Sequence, residues 1–81
     1  MDRTLAELAD SGDDRLVEIA GVTGDGQVSW RLREIGFCRG AAVRFVRRAP
    51  LGDPAMYELH GATLSLRRSE ASRIRVRSRA S

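Results

Sequence analysis

Residues 42–67, AVRFVRRAPLGDPAMYELHGATLSLR, read as three consecutive short strands. Ala42 to Ala49 carries Val43, Phe45 and Val46, side chains that suit a pleated, half-buried surface. Pro50-Leu51-Gly52-Asp53-Pro54 then reads as a loop by composition. Met56 to His60 is a second strand, Gly61-Ala62 a tight turn, and Thr63 to Arg67 a third strand with Leu64 and Leu66 on one face. Strands joined by connections this short run antiparallel.

On the C-terminal side, Ser69-Glu70-Ala71-Ser72 is a short helical turn, and Ile74 and Val76 alternate with Arg73, Arg75 and Arg77 in a final half-buried strand. On the N-terminal side, the spacing predicts a helix over Gly26 to Ile35, with Asp25 as its cap and Gly36 as its stop. Val28, Leu32 and Ile35 form one apolar stripe on it. Trp30, about 200° around from Val28, falls on the opposite face beside Arg33 and Glu34. Residues 15–22 read as a further strand, broken by Gly24-Asp25-Gly26. Thr4-Leu5-Ala6-Glu7 is a capping box that opens a first short helix, laying Leu5 and Leu8 on the core before Ser11-Gly12 ends it. Five short strands, two short helices and no βαβ rhythm make a mainly β domain: a small antiparallel barrel, closed or nearly so. The expected domain covers residues 1–77, with 78–81 as a frayed tail.

Composition removes several functions. The chain has 81 residues, and all 14 of its basic side chains are arginine. Without lysine there is neither a P-loop lysine nor a Schiff base. One cysteine and one histidine cannot supply the four ligands of a structural zinc site, and no internal disulfide is available. The N-terminal residues lack the apolar run of a signal peptide, and no apolar stretch nears the roughly 20 residues that span a bilayer, so a cytoplasmic location is expected.

Charge is uneven along the chain. Residues 1–30 hold two Arg against seven acids, net −5, and residues 31–81 hold twelve Arg against four acids, net +8, which sum to +3. A basic second half suggests nucleic acid. Arginines scattered over strands seldom make a continuous phosphate track, however, and base-stacking aromatics on strands reduce to Tyr57. Acidic and basic segments that lie side by side in space fit better, with the Arg73/Arg75/Arg77 ladder as a solvated sheet edge.

Catalytic chemistry has little support. Cys38 and His60 are the only nucleophile–base pair, and no spacing nominates a third group to orient them. Gly21, Gly24 and Gly26 do not have the spacing of a dinucleotide loop. For a metal, His60 with Glu58 or Asp53 offers at most a weak surface site, and no cofactor is expected. Trp30 is the most informative single residue. An indole off the core stripe, flanked by arginine and glutamate, is either capped by a loop or left as an anchor for a partner.

The segment Arg31-Leu32-Arg33-Glu34-Ile35-Gly36-Phe37, then Gly40, then Arg48-Ala49-Pro50-Leu51-Gly52-Asp53-Pro54, is similar to the FeoA family. So are Tyr57-Glu58-Leu59-His60-Gly61, Leu64-Ser65-Leu66-Arg67-Arg68-Ser69-Glu70-Ala71 and Ile74-Arg75-Val76. The chain departs from that pattern at Arg39, where proline is frequent, and at Trp30, where a polar or basic residue is more usual. The resemblance implies an SH3-like five-stranded barrel with one inserted helix and short helical turns, a fold also found at the C-terminus of DtxR-type repressors. It further implies a cytosolic, non-enzymatic accessory of ferrous iron uptake that acts on FeoB, a membrane transporter with a cytoplasmic GTPase domain. Weak homo-oligomerisation is expected alongside that partner, with no nucleic acid and no membrane insertion. The expected docking surface comprises Trp30, Arg33, Glu34 and Phe37 with Leu51, Asp53, Met56 and Tyr57. Two prolines stiffen the loop and lower the entropy cost of presenting its apolar side chains.

Overall fold

The computed structural model describes residues 3–78. Along the chain run β1 (Arg3–Thr4), α1 (Leu5–Asp10), β2 (Val17–Val22), α2 (Gln27–Ile35), β3 (Ala42–Arg48), β4 (Ala55–Leu59), β5 (Ala62–Leu66), α3 (Arg68–Ala71) and β6 (Ile74–Ser78). One antiparallel sheet contains all six strands in the order β1-β6-β2-β3-β4-β5. The mainly β, antiparallel expectation holds. The sheet is open, ending at β1 on one side and at β5 on the other, and the sixth strand is the two-residue β1.

The strands follow their side chains. In β4 the pattern Ala55-Met56-Tyr57-Glu58-Leu59 alternates buried and half-buried, as period-two geometry requires. His60 and Gly61, at φ 54° and 79°, turn the chain from β4 into β5, one residue earlier than the composition suggested. Positive φ at both positions matches the right-handed twist of the two strands. β6 is an interior strand between β1 and β2, so Arg73, Arg75 and Arg77 do not line a sheet edge. Ser78, expected in the tail, ends β6 and pairs with Val17 of β2, and residues 79–81 lie outside the described residues.

α1 has the capping box that the sequence shows: Thr4 Oγ1 accepts from the Glu7 N–H at 3.1 Å, and Glu7 Oε1 accepts from the Thr4 N–H at 2.8 Å. Leu5 and Leu8 are buried as expected, and join Ile19, Leu32, Phe37, Val43, Ile74 and Val76 in one core. α2 begins one residue late. Gly26, not Asp25, occupies its cap position, and no side chain caps it. The apolar stripe is only partly buried: Leu32 is in the core and Val28 packs against it, but Ile35 is 46% exposed. Ser29 is the second α2 residue to be fully buried.

Candidate functional site

α2 is pinned to the sheet by polar contacts on one side. Ser29 Oγ donates to the Thr23 carbonyl at 2.6 Å and accepts from Arg73 Nη1 at 3.3 Å. Arg33 Nη2 donates to the carbonyls of Val22 and Gly24, both at 2.8 Å. The helix then ends abruptly. Gly36, at φ 126°, donates its N–H to Arg33, and Phe37 donates to Leu32, each at 3.1 Å. This double reverse bond closes the last turn and drives Phe37 into the core.

With those faces committed, Trp30 points outward and is 63% exposed. Gln27, Arg31 and Glu34 line a shallow groove beside it. Gln27 and Glu34 stand three before and four after Trp30, which is the helical neighbour spacing. Arg33 does not join them: its guanidinium is turned onto the end of β2. Arg31 takes the cationic position instead. Counting three and four residues from Trp30 finds Gln27 and Glu34; the sequence alone does not tell which of Arg31 and Arg33 has its charge engaged elsewhere.

The second half of the expected surface is a loop at the Ala55 end of β4. Leu51 at its tip is 95% exposed, and Met56 is half-buried. Asp53 Oδ1 accepts from the Arg68 N–H at 2.9 Å and so caps the start of α3. Asp10, at the end of α1, accepts from Arg48 Nη2 at 2.9 Å and from Arg68 Nη1 at 2.6 Å. These two hydrogen bonds hold its carboxyl below the usual carboxylate range. Beneath lies a narrow crevice lined by Ala6, Ala9, Ala55 and Tyr57.

Two expected surface residues belong to the interior. Phe37 is 0% exposed and Tyr57 is 1% exposed, the latter packed edge-on to Phe45 with ring centroids 6.0 Å apart. Burial pushes the Tyr57 hydroxyl up to about 12. Neither side chain contributes to an outward surface. Nor do the weak metal candidates converge. Glu58 pairs with Arg44 at 2.8 Å, Asp53 caps α3 at the far end of β4, and the His60 ring abuts Gly36. Cys38 is exposed. Among the described residues no three His, Cys, Asp or Glu side chains are placed to hold a metal ion.

Part of the uneven charge is folded onto itself. Glu18 receives Arg77, and Asp10 receives Arg48 and Arg68, so two acids of the first third meet arginines of the basic half, while Asp13 is held locally by Arg3 and Arg15. No helix among the described residues is long and apolar enough to cross a membrane.

What remains is a small domain built on an open six-stranded antiparallel sheet, with an exposed aromatic helix face. Such a domain is of the SH3-like class. Residues 3–78 match the FeoA domain, and the chain belongs to the FeoA family. Its similarity extends to a Porphyromonas gingivalis Fe(2+) transport protein A/Fe(2+) transporter FeoB fusion protein, 40% identical over 58 residues. The match covers 72% of this chain and only 7% of that protein. Among solved structures, a FeoA-like protein from Clostridium acetobutylicum superposes with TM-score 0.83 at 30% identity, covering 99% of this chain and 90% of that one. Zinc-complexed FeoA from Stenotrophomonas maltophilia, a prokaryotic SH3 domain protein, superposes with TM-score 0.73 at 28% identity, covering 93% and 89%.

Proposed function

We propose that this domain is a non-enzymatic accessory of bacterial ferrous iron uptake that works in the cytoplasm by docking on the cytoplasmic part of a FeoB-type transporter. The observation that carries this reading is the relative in which the same kind of domain is fused to the transporter itself. Fusion holds two modules at high effective concentration, an arrangement that favours partners acting together. The surface fits that role. Trp30 with Gln27, Arg31 and Glu34 supplies an aromatic anchor within a polar rim, and Leu51 adds an apolar tip. Docking would bias the transporter only through its different affinity for two of the transporter's states.

The test is a calorimetric titration of this chain into the isolated cytoplasmic portion of the transporter, with each nucleotide in turn. Saturable binding that differs between nucleotide states supports the proposal. No binding in any state removes it.

A further inference from the structure

The two ends of the sheet are unlike each other, and the difference points to a second use of this fold. β1 offers only Arg3 and Thr4. β5 offers Ala62-Thr63-Leu64-Ser65-Leu66, five residues with no charge and no proline. Natural sheets blunt exposed edges with charges, proline, bulges or shortness. The β4–β5 register runs without a shift from Ala55↔Leu66 to Leu59↔Ala62, so β5 carries no charge, no proline and no bulge.

The backbone groups facing outward follow from the hairpin. Leu59 and Ala62 flank a two-residue turn and form a hydrogen-bonded pair. Alternation then directs the N–H and C=O of Ala62, Leu64 and Leu66 toward β4, and those of Thr63 and Ser65 away from it. Among the described residues, no hydrogen bond from elsewhere reaches Thr63 or Ser65. The next outward position, Arg67, is already used: its N–H donates to Glu70 Oε1 at 2.8 Å and its carbonyl accepts from Glu70 and Ala71. The open edge is therefore short and bounded.

We infer that this edge pairs with β5 of a second copy of the chain, antiparallel, about a two-fold axis at Leu64. In that register Thr63 of each copy faces Ser65 of the other, and both residues have their backbone groups outward, so each pair exchanges both hydrogen bonds. Leu64, half-buried against its own core, meets Leu64 of the other copy, and Ala62 meets Leu66. Charge favours the antiparallel sense. Arg67 lies three residues beyond the axis, so the two Arg67 side chains are separated by six residue steps, about 20 Å, well past the ~8 Å screening length. A five-residue strand buries less area than a standard interface, so the pair is a weak one that forms as concentration rises. This inference does not rest on the transporter reading and is measured without the transporter.

Sedimentation equilibrium over a concentration series tests it, read beside amide hydrogen exchange. The expected result is a reversible monomer–dimer equilibrium in which Thr63 and Ser65 amides slow as dimer forms. Ser65→Pro removes an outward N–H without touching the β4 ladder, and Thr63→Glu with Ser65→Glu sets like charges face to face. Each variant should weaken dimerisation by about tenfold or more. Far-UV circular dichroism checks the monomer fold; should the proline variant unfold, the double glutamate variant carries the comparison. A chain that stays monomeric at every concentration overturns the inference. So does a dimer that both variants leave intact, or protection of Thr63 and Ser65 that appears only when the transporter's cytoplasmic portion is added.

Discussion

A Cβ built on Gly36 would lie 3.3 Å from Cδ2 of His60, so a side chain at the end of α2 would have to push the imidazole of the β4–β5 turn aside by a few tenths of an ångström. Gly36 also sits at φ 126°, a conformation that other residues rarely adopt. Gly36→Ala should therefore destabilise the fold by about 1–3 kcal/mol, through backbone strain and through displacement of the imidazole. Urea unfolding measures it: the midpoint should fall with the slope unchanged. An unaltered midpoint would mean that the helix end tolerates a different turn.

Ser29 is the buried hydroxyl that holds α2 against Thr23 and Arg73. Ser29→Ala leaves the Thr23 carbonyl without that donor and the Arg73 guanidinium without that acceptor. A loss of about 1–2 kcal/mol is expected, and Gly24→Ala should act in the same direction, because a Cβ there would lie 2.9 Å from the Ser29 hydroxyl oxygen. Thermal melts of the three chains side by side give the ordering.

How much of this was legible follows from particular residues. The β4–β5 hairpin could be read because Gly61 breaks two alternating runs, although the turn is His60-Gly61 rather than Gly61-Ala62, and the capping box of α1 because its spacing is local. Tyr57 lies in the interior and not on the expected surface, and the sequence carries a signal for this. With Glu58 turned toward Arg44, period-two alternation already directs Tyr57 inward with Ala55 and Leu59. Phe37 was also readable in retrospect, since an apolar residue just after a helix-ending glycine commonly folds back on the last turn. Other features were out of reach. β1 is two residues long, too short for any periodicity, and the interior place of β6 depends on pairings with β1 and β2 that are distant in sequence. The choice between Arg31 and Arg33 depends on where β2 ends in space.

Acid stability should depend on two aspartates. Hydrogen bonds from Arg15 and then Arg3 lower the Asp13 carboxyl, and those from Arg48 and Arg68 lower that of Asp10, both from an ordinary value of 3.8. A folded-state value below the unfolded one means that the unfolded chain binds more protons as pH falls. The contribution is fully present above about pH 4–5 and is lost progressively as pH drops through the folded-state values. Asp13→Asn should flatten that acid limb, and high salt should weaken it, because the arginines of both clusters reach solvent. Urea midpoints taken from pH 7 down to pH 2 read the slope; an equal slope in the variant would assign the acid transition elsewhere.

At the alkaline end the sign reverses. Tyr57 is the single tyrosine, and its folded value of about 12 lies above the ordinary 10.0. The folded state holds its proton more tightly, so stability from this group is intact below pH 10 and falls as pH rises toward 12. Ultraviolet titration should show phenolate forming late and together with unfolding. Tyr57→Phe keeps the ring and its edge-on contact with Phe45, and should remove the tyrosine part of that loss at little cost in stability at neutral pH.

Trp30 gives the sharpest test of the docking surface because it is the only tryptophan and its side chain is not needed by the core. If the α2 face meets the transporter, Trp30→Ala should weaken binding by about 1–3 kcal/mol while leaving the urea midpoint nearly unchanged. In the unaltered chain the same indole should report the event directly, its emission moving to shorter wavelength as the partner excludes water. Arg31→Glu should reduce affinity with it, whereas Arg33→Ala should act chiefly on stability, because its guanidinium holds the carbonyls of Val22 and Gly24. That separation discriminates a docking face from a merely exposed one: equal binding losses for Arg31 and Arg33 variants, or a Trp30→Ala chain that binds as before, would place the contact on another part of the barrel.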